Sequence, residues 1–246
     1  MLSIEVDRVS SAGRCYHARV GERSPAPLVL ASASPRRRRL FAMLGVEYHC
    51  MATEIAEELD SPLASDPRAL AVTLAREKAE AARSLGIRQG VLACDTIVFF
   101  DGRSIGKPTG LDDARRMLAE LSGGTHEVVT GVALLPPGRA EAETFAVTTL
   151  VRMRRLADGD IEAWVARGEL LGCAGAYNIE HHLGEVDPGE CFQNVAGLPL
   201  CHLYVELCRL KGALGIGEPT PPAGACDAAR QARCLLGPRI IAGAKI

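Results

Sequence analysis

The sequence reads as an α/β protein built on a mixed β-sheet with flanking helices, and three observations lead there. Apolar runs of strand length interleave with stretches of helical periodicity, as in βα units. One of those runs ends in Asp101-Gly102, a strong hairpin signal, so antiparallel strands are expected beside parallel ones. The 246 residues, 48% of them hydrophobic, suffice for one large domain or two small ones with proper cores.

Residues 1–27 read as a variable leader, 28–212 as the domain proper, and 213–246 as a Gly/Pro/Ala-rich tail. Neither end shows periodicity long enough to demand a core element. "LVLAS" (28–32) reads as a short buried strand followed by a helix from Pro35 to Leu44. Residues 67–85, rich in Ala, Leu, Glu, Lys and Arg, predict a long helix stopped by Gly86. "GVLACDTIVFF" (90–100) is an apolar strand, and "LDDARRMLAELSGG" a helix with acids in its first turn and glycines after its last. "HEVVTGVALLP" and "AETFAVTTLVRMRRL" read as two strands of a hairpin, "DGDIEAWVARG" as a short helix, and "NVAGLPLCHLYVELCRLKG" as the lead into a last one. No internal repeat is visible.

Composition excludes several classes. The net charge of −2, from 28 basic and 30 acidic residues, gives no general pull toward nucleic acid or anionic membrane, so any anion binding is local. Only 4% of positions are aromatic, which speaks against a base-stacking nucleic-acid module. No stretch approaches the ~18 to 20 apolar residues of a membrane span. The N-terminal stretch lacks the apolar core and cleavage site of a secretory signal, which makes the cytoplasm the expected location. Nine cysteines without a Cys-x-x-Cys pair favour reduced, mostly buried thiols.

Four segments could carry chemistry. In "SASPRRRR", Ser34 before Pro35 has the pattern of an N-cap with proline at the first helical position, where its missing N–H costs nothing. The start of a helix offers unpaired N–H groups and a positive dipole end to an anion. At about 100° per residue, Arg36 and Arg37 fall near the apolar stripe of Leu40, Phe41, Met43 and Leu44 and should line a cleft, whereas Arg38 and Arg39 should face water. A solvated basic helix end or a phosphorylation motif explains this segment equally well. Asp95, an acid inside an apolar strand, is costly to bury unless paired, metal-bound or facing a cleft. It is therefore a candidate for activating water, with the Thr96 hydroxyl beside it, although backbone N–H groups could satisfy it too. Lys107 in "IGKPTG" and Lys78 in the long helix are by default solvated, and neither is a Walker lysine. Glu54, Glu57 and Glu58 in "TEIAEELD" suit a hard cation such as Mg²⁺, or form a solvated acidic loop. The His181-His182 pair carries no assigned role.

Taken in order, "LASASPRR", "LAREKA", "ACDTIV", "GKP", "LSGGTHEVVTGVAL", "AGAYNIE" and "NVAGLPL" resemble the successive motifs of the Maf family of nucleotide pyrophosphatases, over residues 28 to about 210. The resemblance implies a deep nucleotide cleft similar to that of inosine triphosphate pyrophosphatases. It implies hydrolysis of a nucleoside triphosphate between the α- and β-phosphates to monophosphate and pyrophosphate, with Mg²⁺ or Mn²⁺. House-cleaning of non-standard or modified nucleotides, a link to septum formation and division arrest, and a homodimer are further implications. On this resemblance Ser34, Arg36 and Arg37 belong to the triphosphate clamp, Glu57 and Asp95 to the metal site, and Lys78 and Lys107 to catalysis. Asp95 is the proton acceptor, and Thr96 sits at a position associated with substrate choice. Where many members have glutamine, this chain has Glu180, as members resembling 7-methyl-GTP pyrophosphatases do, while the adjoining "AGAY" resembles the dTTP/UTP group. A carboxylate only accepts hydrogen bonds, so Glu180 should favour a base edge with N–H donors, as guanine has. The alternative to an enzyme is a nucleotide-binding regulator of septum formation with little turnover.

Overall fold

A computed structural model describes residues 6–9, 15–18, 28–53, 55, 59 and 61–243. These residues form a single mixed sheet of nine strands with helices on both faces. Its centre is β3 (Leu28–Ala31), every residue of which is buried. β3 runs parallel to β4 (Tyr48–Met51) on one side and to β5 (Val91–Phe100) on the other. A strand parallel to both neighbours and covered on both faces must be continuously apolar, which is why "LVLA" shows no alternation.

Beyond β5 the sheet is antiparallel, continuing through β7 (Thr125–Leu135), β8 (Glu143–Met153) and β9 (Gly184–Val186). β6 (Arg103–Ile105) pairs with the far end of β5, and the turn between them holds Asp101 and Gly102 at φ of 49° and 75°, as the hairpin signal requires. On one face α1 (Pro35–Ala42) buries Leu40 and Phe41, with Phe41 edge-on to Tyr48 at 4.8 Å. α3 (Leu111–Leu121), α4 (Asp158–Val165), α5 (Phe192–Val195) and α6 (Leu200–Leu214) share that large core. On the other face lies α2 (Pro67–Ser84), capped by Asp66 and packed through Leu70, Ala71, Leu74, Ala75, Ala79 and Ala82.

α2 packs closely because β7 has Gly131 beneath it. A Cβ there would lie 2.2 Å from the carbonyl carbon and oxygen of Ala71. Gly131 stands opposite Asp95 in the β5–β7 register, so the same close approach brings α2 down over the acid.

Both chain ends contribute elements that their lack of periodicity concealed. β1 (Val6–Val9) and β2 (Cys15–Ala18) extend the sheet antiparallel from the edge of β4. Such strands are short enough that ladder hydrogen bonds place them without any pattern. After α6 the chain forms α7 (Ala223–Arg230) and α8 (Leu236–Ile241), and Cys226, Cys234, Leu236 and Ile240 join the main core. Among the described residues, no helix is long and apolar enough to cross a membrane.

Candidate active site

β3 and β4 end at Ala31 and Met51, and β3 pairs with β5 only as far as Ala93. Further along β5, Asp95 and Thr96 lie beyond the β3 pairing, and their side chains, from opposite faces of that strand, line one crevice. The order β4-β3-β5 sends the chain to opposite sides of β3 in succession, and the carboxyl ends flanking such a switch are where open α/β sheets bind ligands. The crevice is a cavity of about 800 Å³. Its walls include Ser34, Arg36, Arg37, Lys78, Asp95, Thr96, Lys107 and Glu180, eight of the nine residues expected from sequence. Glu57, the ninth, lies outside the described residues, although Thr53 and Ile55 before it line the cavity.

The turn between β3 and α1 is organised as its residues suggest. The Ser32 hydroxyl accepts the Ser34 N–H at 3.2 Å, and the Ser34 hydroxyl accepts the Arg37 N–H at 3.4 Å. Arg36 and Arg37 then project into the cavity with neutral partners. Arg36 Nη1 donates to Cys173 Sγ at 2.7 Å; Arg37 Nε donates to the Gly197 carbonyl and Nη2 to Thr96 Oγ1, both at 2.9 Å. Thiol, carbonyl and hydroxyl orient a guanidinium but do not offset its charge. Two such cations side by side, at the positive end of α1, invite an anion with several charged oxygens.

Asp95 is 3% exposed and Lys78 8%, and the Lys78 ammonium donates to Asp95 Oδ1. A lysine is buried to this degree only when its charge is met, so Lys78 is not the solvated residue that its helix alone suggests. Cys94, adjacent to Asp95 in the chain, is fully enclosed, and burial pushes its thiol up to about 11, leaving it no part in nucleophilic chemistry. Lys107 is exposed on the loop after β6, at the other wall of the cavity. The carbonyl of Gly106 beside it accepts the N–H of Gly175 at 3.0 Å, fastening that loop to the "AGAYNIE" turn. Gly175 and Ala176 in this turn have φ of 68° and 61°, and the indole N–H of Trp164 donates to the Ala176 carbonyl at 2.8 Å. Tyr177 closes the floor: its hydroxyl meets His126 Nε2 at 2.7 Å, and burial pushes the imidazole down to about 4, keeping it neutral.

One expectation is incomplete. Arg39 is exposed, as read, yet it also lines the cavity rim, where its Nη2 donates to both carboxylate oxygens of Glu180 at 2.8 and 2.7 Å. Helix angle places the Cα, but the long arginine stem carries the charge around the helix to a partner 141 residues away. Arg38 is half-buried rather than solvated, and stands apart from the cavity lining. Sequence reasoning also passed over Cys173, Tyr177, Asn178 and His181, all of which line the cavity. The "AGAYNIE" motif contains two of them, Tyr177 and Asn178, and the other two flank it. Among the described residues no group of three or more His, Cys, Asp or Glu side chains gathers as a metal cage. Of the two carboxylates expected to hold a hard cation, Asp95 lines the cavity in an ion pair with Lys78, and Glu57 lies outside the described residues.

A crevice at the carboxyl ends of parallel strands, with two arginines on neutral partners among the described residues, two lysines and a buried acid, suits a phosphoanhydride-binding enzyme. A family model described as Maf-like protein matches residues 27–210. A relative named dTTP/UTP pyrophosphatase from Syntrophomonas wolfei subsp. wolfei is 40% identical over 183 residues, 73% of this chain and 95% of the relative. One of the same name from Geobacter sp. (strain M21) is 42% identical over 193 residues, 76% of this chain and 97% of the relative. A third, from Halalkalibacterium halodurans, is 42% identical over 177 residues, covering 71% and 90%. The chain belongs to the Maf-like family, and its activity is that of a hydrolase, a nucleoside triphosphate pyrophosphatase.

Proposed function

We propose that the chain hydrolyses the α–β phosphoanhydride of dTTP and UTP, releasing pyrophosphate, with a division of labour among the residues of the crevice. The observation that carries this reading is the pair of cavity arginines whose partners among the described residues are neutral, in the same cavity as a buried carboxylate. Arg36 and Arg37 clamp the triphosphate, while Lys78 and Lys107 offset charge as the bridging oxygen departs with the pyrophosphate. Asp95, held by Lys78, orients the attacking water and takes its proton. Asp95 and Glu57 are the residues that would hold Mg²⁺ or Mn²⁺, which when bound would lower the pKa of a coordinated water and neutralise phosphate charge.

The choice of base follows from the relatives' names, and the Arg39–Glu180 pair is compatible with it. Glu180 alone presents only acceptors, but with Arg39 on its oxygens the rim offers a donor and an acceptor side by side. Such a pair complements the C=O/N–H edge of uracil and thymine as well as that of guanine, so the carboxylate is compatible with pyrimidine triphosphates. A homodimer and a link to division arrest remain parts of this proposal, carried by the family resemblance, as does a cytoplasmic location, carried by the N-terminal sequence. The regulator with little turnover is not favoured, since the relatives are named for hydrolysis.

A panel of nucleoside triphosphates, assayed for pyrophosphate with Mg²⁺ or Mn²⁺ added and withheld, tests the reading. UTP and dTTP are expected to be turned over fastest, only with metal, and Asp95→Asn to lose at least about a hundredfold in kcat. Unchanged turnover by Asp95→Asn removes it from catalysis, and faster turnover of purine triphosphates overturns the base assignment.

A further inference from the structure

We infer that Thr130, which lies on β7 outside the cavity lining, is a positioning residue that sets the polarity of the Thr96 hydroxyl and anchors Arg37. The inference rests on the hydrolase activity and on no choice of base.

Proton counting carries it. A threonine hydroxyl has one proton and two lone pairs. Thr130 Oγ1 lies 3.0 Å from the backbone carbonyl of Asn194, which can only accept, so the Thr130 proton points there. The 2.9 Å contact between the Thr96 and Thr130 hydroxyls then requires Thr96 to be its donor. With its proton committed to Thr130, and with one lone pair accepting from Arg37 Nη2, Thr96 turns a single lone pair toward the cavity. In the crevice it is an acceptor only. A phosphate oxygen finds no hydrogen bond there, whereas a ribose hydroxyl or a base N–H does.

The other acceptor that aims Arg37 is held separately, by bonds that do not involve the Thr130 hydroxyl. Asn194 Nδ2 donates to the Val128 carbonyl at 2.9 Å and to Thr149 Oγ1 at 3.1 Å, and Thr149 Oγ1 donates to the Cys191 carbonyl at 3.0 Å. These bonds join α5 to β7 and β8, and Gly197, whose carbonyl holds Arg37 Nε, follows α5 directly. Gly197 has φ of 104°, and a Cβ there would sit 3.5 Å from Arg37 Nε. Thr130, Thr149 and Asn194 are all 0% exposed, so no water competes for these groups. Removing the Thr130 hydroxyl frees the Thr96 proton to swing toward the crevice and loosens one of the two bonds that aim Arg37.

The experiment is a double-mutant cycle on UTP and dTTP hydrolysis, or on whichever triphosphate of the panel the wild type turns over fastest, with thermal melts on every variant. Thr130→Val and Thr130→Ala are each expected to lower kcat/KM about ten- to a hundredfold, and Thr130→Ser to stay within about threefold of wild type. Because Thr130 acts through Thr96, the Thr96→Val/Thr130→Val double variant should be no worse than Thr96→Val alone. A purely structural role would instead make the two losses multiply while Tm falls in step, and that result overturns the inference. Wild-type kcat/KM in Thr130→Ala overturns it as well. If Thr130→Val does not fold, the comparison of Thr130→Ala with Thr130→Ser decides.

Discussion

Arg39 and Glu180 show how much one ion pair can redirect. A carboxylate that stood alone at the rim would repel the substrate's own negative charge; paired with Arg39 it is neutralised as a unit and keeps a polarity that a base edge can match. Arg39→Ala is therefore expected to leave triphosphate binding largely intact but to reduce the UTP-over-CTP ratio of kcat/KM about tenfold, whereas Arg38→Ala leaves that ratio alone. Steady-state kinetics on the two nucleotides checks this, and equal ratios in both variants would contradict it. Of the three arginines that line the cleft, Arg36 and Arg37 were legible from the N-cap and the apolar stripe. Arg39 was not, because its partner is distant in the chain and helical angle says nothing about what a flexible side chain can reach. The Thr130 relay was equally invisible: a threonine on a strand looks the same whether its hydroxyl meets water or an interior carbonyl.

The pairing of α2 with β7 positions the buried acid. Gly131 gives α2 its close seat, α2 carries Lys78, and Lys78 holds Asp95. Gly131→Ala would press a methyl group into the backbone of Ala71, which must shift the helix. We expect a loss of about 1–3 kcal/mol in stability together with a fall in kcat larger than the rise in KM, measured by thermal melts and steady-state kinetics. A variant with normal kcat would mean that the helix gives way without moving Lys78. The long, periodic elements were readable in the sequence, as was the Asp101-Gly102 hairpin. The elements at the two ends were not. β1 and β2 are four residues each, and α7 is mostly alanine, glycine and cysteine, so their placement comes from partners that only the folded chain supplies.

For the molecule as a whole, burial has a pH signature. Burial pushes His126 and His202 down to about 4 from about 6.5, so between those values the unfolded chain binds more protons than the folded one. The stability these histidines contribute is complete above about pH 6.5 and is lost as pH falls toward 4. Urea unfolding at several pH values should show this decline, with a shallower slope in His202→Leu; a flat profile across the window would contradict it. Within this frame, the backbone bond from the Gly175 N–H to the Gly106 carbonyl has its own consequence. It ties the loop bearing Lys107 to the turn bearing Glu180, so on the proposed division of labour a displacement at the group that meets the base is passed to one that grips the phosphates. A mismatched base is then felt as slower bond cleavage as well as weaker retention, and fidelity becomes a property of turnover.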